Sequence, residues 1–241
     1  MRVTAVSTAV IEANYDWTLV RVDTDEGVSG IGECFTSPGL TALIRELGAL
    51  VVGENPQHIE PILRLMRNAT AHAASGGGAV HHAITGIESA LWELNARALG
   101  VPLYQLFGGA FRSDIRIYAD CHAGDALHSY SATLQERIPA WMAGSPADTQ
   151  TLGVHWDTRD EEGVYTDEAY ASRARQMAER GFTALKFDLD LPRMEGEDLH
   201  ARTISARQLE RQVSLARAAV EAVGPDVGVA SVSYTHLRAH E

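Results

Sequence analysis

Two different periodicities share this chain. From Thr18 to Asp23 the residues alternate as TLVRVD, with Leu19, Arg21 and Asp23 on one side. Thr24–Gly27 (TDEG) and the following run Val28–Glu33 (VSGIGE) complete a pair of β-prone segments around a Gly-containing turn, which predicts an antiparallel hairpin. Beyond Asp114 the alternation is coarser: strand-like runs are separated by helix-like runs, the pattern of parallel βαβ units joined by crossovers. A hairpin-built sheet and a crossover-built sheet are separate constructions, so two domains are predicted. The length of 241 residues, at roughly 150 per domain, also falls between one and two domains.

In the first part, Val3–Ile11 supplies a third strand. A small sheet is marginal alone, so a helical layer is expected over one face. Gly39–Val52 carries Leu40, Leu43, Ile44, Leu47 and Val51 at helical spacing, and Gly53 ends it. Pro56 is expected to open the next helix at its first turn, followed by Ile59, Ile62, Leu63 and Met66 on one face. A third helix carries the stripe Ile84, Ile87, Leu91, Leu94 and Ala98, and is stopped by Gly100 and Pro102. These elements predict an α+β domain ending near Phe107–Gly109.

In the second part, Asp114–Cys121 (DIRIYADC) is β-prone. Thr166–Arg180 reads as a helix with Thr166 as N-cap, the stripe Ala169, Ala174, Met177 and Ala178, and Gly181 as its stop. Phe182–Asp188 (FTALKFD) is a strand. Ser205–Val223 is a second helix, with Ser205 and Gln208 at capping-box spacing and Leu209, Val213, Ala216, Val220 and Val223 as its buried face. Gly224 and Pro225 end it, and Val227–Ala230 begins a further strand.

Composition narrows the functions. Thirty-two Asp and Glu against 20 Lys and Arg leave a formal charge of −12, which opposes a nucleic-acid partner but not an anionic small molecule. No run reaches the ~18 apolar residues of a membrane span, and the start MRVTAVSTAVIEANYD makes a poor signal peptide, so a cytoplasmic protein is expected. Cys34 and Cys121 have no metal or disulfide spacing and read as buried thiols. Ser75–Gly78 (SGGG) fits no phosphate-loop pattern and reads as a connection. The adjacent His81 and His82 point apart on a helix, which disfavours a metal pair.

In βαβ units, functional groups collect at the carboxyl ends of the strands. That rule selects Asp120 and His122 after one strand, and Lys186, Asp188 and Asp190 at the end of the next. A solvated charge cluster is the plainer reading of these residues by themselves. The functional reading has Lys186 stabilising or removing charge on a bound carboxylate.

At this point a family resemblance becomes specific. The hairpin TLVRVDTDEGVSGIGEC and the segment GIESALWELNARALGVPLYQLFGG, from Gly86 to Gly109, resemble the N-terminal capping domain of the enolase superfamily in its mandelate racemase and muconate-lactonizing branch. IRIYADCHAG, GFTALKFDLD and VGPDVGVA resemble the first, second and approach to the third barrel strands. The resemblance implies an α+β capping domain (1–109) followed by the first part of a (β/α)8 TIM-like barrel (110–230).

It further implies an Mg²⁺-assisted removal of the proton α to a carboxylate. Cation and ammonium would offset the second negative charge that this step creates. The KFD phrase at Lys186–Asp188 looks more like sugar-acid dehydratases than like racemases or cycloisomerases, whose Lys-x-Lys motif places a basic Lys where Asp188 stands. Lys186 and Asp188 are thus the candidate catalytic residues, Lys186 in an electrostatic role. Asn14, Tyr15, Asp16 and Trp17 lie where the family's capping loop closes on substrate, although a polar hairpin entry explains them as well. With Asp120 and His122 they form the candidate substrate contacts. The implied partner is a small sugar acid, with neither nucleic acid nor membrane involved, and a homo-oligomer is implied at full length.

The residues after Gly109 number about half of the ~250 a closed barrel takes. The family's acidic Mg²⁺ ligands stand at the third, fourth and fifth strand ends, and Ser231–Glu241 (SVSYTHLRAHE) fits neither a barrel strand nor such a ligand. Residues 231–241 therefore look like a non-family tail, and the chain is expected to be an inactive N-terminal fragment with no metal ligands of its own. His236 and His240 have helical spacing, which reads as accident. The alternatives are a racemase or cycloisomerase of the same superfamily, and a non-catalytic acidic interaction domain.

Overall fold

In the computed structural model, which describes residues 1–13, 16–72, 77–121, 165–189 and 204–232, the alternating runs near the start form an antiparallel sheet. Its strands β1 (Val3–Glu12), β2 (Asp16–Thr24) and β3 (Ser29–Cys34) lie in that order. Thr18, Val20, Val22 and Thr24 bury one face of β2, opposite Cys34, Gly32 and Gly30 for the first three. Gly27, at φ 78°, supplies the left-handed residue of the turn.

Helices α1 (Leu40–Val51) and α3 (Ala79–Leu99) cover that face, α2 (Ile59–Ala69) packs on both, and the short α4 (Leu103–Leu106) adjoins α3. The predicted stripe of α3 is buried except at Ala98, which is exposed; the buried face instead includes Val80, Ala83, Gly86 and Ala90. Small residues win there because α3 lies on the backbone of β3. A methyl group on Gly32 would overlap the Gly86 carbonyl oxygen, and one on Gly86 would meet Val20 Cγ2 at 2.8 Å and Cys34 Sγ at 2.9 Å.

Pro56 does not open α2. Asn55 Oδ1 accepts from the Gln57 N–H at 3.1 Å and the Asn55 carbonyl from the His58 N–H at 2.9 Å, a turn that delays the helix to Ile59. The Pro56 carbonyl accepts from buried Asn95 Nδ2 at 2.8 Å, tying this turn to α3.

The chain divides into two units, with the described boundary between Ser113 and Asp114. The second unit is a parallel sheet of β4 (Ala119–Cys121), β5 (Ala184–Asp188) and β6 (Gly228–Val232), in the order β4-β5-β6. Helix α5 (Asp167–Glu179) follows Thr166, whose hydroxyl accepts from the Ala169 N–H at 3.2 Å. Helix α6 (Ala206–Val223) starts at the expected Ser205–Gln208 capping box. Tyr170, Ala174, Met177, Leu185, Phe187, Leu215 and Ala219 form the core.

Two expectations fail here. Asp114–Tyr118 is not strand; Ile115 and Ile117 are exposed, and pairing with β5 begins at Ala119. The face chosen for α6 is also wrong. Leu209, Val213 and Val220 are 51%, 46% and 48% exposed, while Gln212, Leu215 and Ala219 are buried. Among the described residues, no helix is long and apolar enough to cross a membrane.

Candidate active site

Strand alternation decides which β5 side chains meet solvent. Leu185 and Phe187 are buried against the helices, so Ala184, Lys186 and Asp188 take the opposite face of the sheet. The parallel register sets Asp120 of β4 beside Lys186, with Ala230 of β6 on its other side. Lys186 Nζ donates to both Asp120 oxygens, at 3.0 Å and 3.1 Å. Asp188 Oδ1 lies 3.8 Å from the same ammonium, and the Tyr118 ring centroid 5.9 Å away. The Lys186 side chain is 15% exposed and that of Asp120 47%, so the ammonium sits inside its partner.

Both helices hold the end of β5. The buried Tyr170 stacks on Phe187 with centroids 5.4 Å apart, and its hydroxyl donates to the Asp188 carbonyl at 3.0 Å. Gln212 Nε2 donates to the next carbonyl, Leu189, at 2.8 Å, and the Leu189 N–H reaches the Val232 carbonyl at 2.8 Å. Backbone groups that emerge at the end of a short strand are thereby satisfied within the unit.

The structure thus brings Asp120, Lys186 and Asp188 together. Asp120, expected to contact substrate, is engaged with Lys186. Asn14, Tyr15, His122 and Asp190 lie outside the described residues. Asp16 and Trp17 belong to the first unit, at the start of β2, opposite Glu12 and Ile11. His82 Nδ1 is 3.0 Å from the Phe35 carbonyl oxygen and 3.3 Å from Ser37 Oγ, contacts that serve the start of α3. Burial pushes both thiols up to about 11, for Cys34 with Glu33 adding to the effect. They are buried groups, as expected.

Sequence reasoning passed over Tyr170 and Gln212, because a buried polar side chain on a helix has no local signature. It also passed over a compositional signal. Of the 20 Lys and Arg residues, Lys186 is the only lysine.

Magnesium, implied by the resemblance, takes an octahedral set of oxygen donors. Among the described residues no group of three or more His, Cys, Asp and Glu gathers to hold a metal. The two carboxylates at the β5 rim share an ammonium, which repels a second cation. The described residues do not fit the ion.

Residues 2–108 match the family described as "Mandelate racemase / muconate lactonizing enzyme, N-terminal domain". The chain carries this domain of the enolase superfamily. The capping-domain fold expected for its first part is therefore present.

The mandelate racemase-type cap is followed by further similarity. The chain is 33% identical over 228 residues to the D-xylonate dehydratase of Haloferax volcanii, covering 95% of this chain and 46% of the relative. It is 36% identical over 121 residues to a D-galactonate dehydratase of Xanthomonas campestris, covering 49% of this chain and 31% of the relative. The crystal structure of a mandelate racemase/muconate lactonizing enzyme-like protein from Rubrobacter xylanophilus matches with a TM-score of 0.75 and 34% identity, over 98% of this chain and 55% of that one. The chain spans less than half the length of these curated relatives.

Proposed function

We propose that this protein is a dehydratase of sugar (aldonic) acids, acting by abstraction of the proton α to the substrate carboxylate. In this reading residues 1–109 are the cap, residues 110–230 the opening part of a (β/α)8 barrel, and residues 231–241 lie outside the family pattern. The observation that carries it is the placement of Lys186 at the carboxyl end of β5, on the face away from the helices, in a chain 33% identical to a D-xylonate dehydratase.

The chemistry follows from charge. Removing the α-proton puts a second negative charge on an already anionic substrate. A fixed ammonium in a site shielded from water lowers the energy of that state, and such pre-set electrostatics supply much of enzymatic rate enhancement. Departure of the β-hydroxyl as water, with a proton supplied to it, then yields a 2-keto-3-deoxy acid after tautomerisation. Lys186 is hydrogen-bonded as a donor to a carboxylate, so its role is electrostatic, toward the substrate carboxylate. Asp188 stands where racemases and cycloisomerases of the superfamily carry a basic lysine, which disfavours that second reading. The described residues do not fit Mg²⁺, so no step is assigned to it; dependence on Mg²⁺ is proposed only for a protein of the relatives' length.

The test is a panel of aldonic acids, D-xylonate and D-galactonate among them, with 2-keto-3-deoxy acid as the readout. The 241-residue chain by itself is expected to be inactive. A polypeptide that continues it to the relatives' length is expected to dehydrate at least one acid, dependent on Mg²⁺. Epimerisation without loss of water by that longer protein would refute the dehydratase reading. Turnover by the 241-residue chain would refute its being an inactive fragment.

A further inference from the structure

We propose that Asp120 is a positioning residue: its carboxylate holds the ammonium of Lys186 at the carboxyl end of β5, on the open face of the parallel sheet. The inference deepens the dehydratase reading and rests on it for the purpose of the ammonium. Three observations carry it.

The contact is two-pronged, with both Asp120 oxygens at hydrogen-bond distance, and it joins residues that the β4–β5 register places side by side. The backbone therefore fixes both ends of the pair. The ammonium is the inner member, 15% exposed against 47% for its carboxylate, so the pair is no solvated charge cluster at a loop tip.

The third observation is the residue type. This chain builds its other side-chain ion pairs among the described residues from arginine, as in Arg21–Asp23, Arg97–Glu93 and Arg175–Glu168. Its single lysine stands here. A guanidinium is a flat, rigid fork that a two-pronged carboxylate engages along one edge. An ammonium is a compact charge with three rotatable donors, and engaging Asp120 does not exhaust them. Among the described residues the charged groups around it are Asp120 on β4 and Asp188 on β5, beside the Tyr118 ring; β6 presents uncharged Ala230. Asp120 is the closer acid, so it decides where the ammonium stands.

The single lysine makes this directly measurable in the 241-residue chain. Reductive methylation with ¹³C-formaldehyde labels two amines, Lys186 and the Met1 amino group, which pairs with Glu26 and serves as the internal reference. Asp120→Asn is expected to shift the Lys186 titration midpoint downward and to speed its trinitrophenylation several-fold, with the Met1 signal and the melting temperature unmoved. Asp120→Glu is expected to restore part of both. An unmoved Lys186 midpoint in folded Asp120→Asn overturns the proposal. Should that variant not fold, the wild-type chain decides: trinitrophenylation of Lys186 is expected to be several-fold slower when folded than in urea, and equal rates overturn the proposal. Neither readout needs turnover. An unmoved titration therefore removes the positioning role alone. A moved titration, combined with full dehydration by a Lys186→Met variant of the longer protein, removes the dehydratase role of Lys186 and leaves the pairing.

Discussion

The hydroxyl of Tyr170 donates a 3.0 Å hydrogen bond to the backbone carbonyl of Asp188, reaching from helix α5 to the strand end that carries the candidate site. Gln212 of α6 holds the adjoining Leu189 carbonyl at 2.8 Å. Tyr170→Phe keeps the stacking on Phe187 and removes only the hydroxyl, so it is expected to cost about 1–2 kcal/mol; Gln212→Leu is expected to cost about 1–3 kcal/mol. Urea unfolding followed by far-UV circular dichroism measures both. An unchanged midpoint in either variant would contradict the assignment.

The close approach of α3 to β3 predicts a sharp asymmetry among glycines. Gly32→Ala drives a methyl group into the Gly86 carbonyl, backbone against backbone, and is expected to cost about 3 kcal/mol or more. Gly77→Ala meets nothing within 4 Å and is expected to leave the thermal melt of the first unit unchanged.

Helix ends were legible in the sequence, and helix faces less so. Thr166 and the Ser205–Gln208 box announce their helices because a cap is a local hydrogen bond between residues three apart. The face of α6 was misread because its larger apolar residues, Leu209, Val213 and Val220, outweigh Gln212, Leu215 and Ala219 in any periodicity count. Burial follows the neighbours, and one buried member is a glutamine held by a carbonyl 23 residues away. In the same way Ile115 and Ile117 looked like strand, but a strand needs a partner and pairing with β5 starts only at Ala119. The site was half legible. Lys186, Asp120 and Asp188 followed from the rule about strand ends, whereas the Asp120–Lys186 pairing joins residues 66 apart and depends on a register that no local pattern encodes.

The revised face of α6 makes its own prediction. Leu215→Ala is expected to lose about 2–5 kcal/mol, the cost of a core truncation. Leu209→Gln and Val213→Gln are expected to stay within about 0.5 kcal/mol of the parent, as exposed substitutions do. Chemical denaturation of the three variants decides between the two faces.

Both cysteines give a pH-dependent signal. Burial lifts the thiols from 9.0 to about 11, so the unfolded chain ionises them first and binds fewer protons between those values. Their stabilising effect is complete below pH 9 and is lost as pH rises through 11. The melting temperature is expected to fall over that window, and less steeply in the Cys34→Ala, Cys121→Ala double variant. At pH 8, iodoacetamide alkylation of the folded chain is expected to be about 100-fold slower than in urea, following the thiolate fraction. Equal rates would contradict the assignment of both thiols to the core.

The most direct test of the central claim is dehydration of D-xylonate and D-galactonate by a polypeptide that continues this chain to its relatives' length, compared with its Lys186→Met variant. The account predicts formation of the 2-keto-3-deoxy acid from at least one of the two and a loss of about 100-fold or more in kcat/KM when the ammonium is removed, the order of magnitude of a single pre-set electrostatic group. Undiminished kcat/KM in Lys186→Met, or turnover of neither acid by the parent, would contradict it.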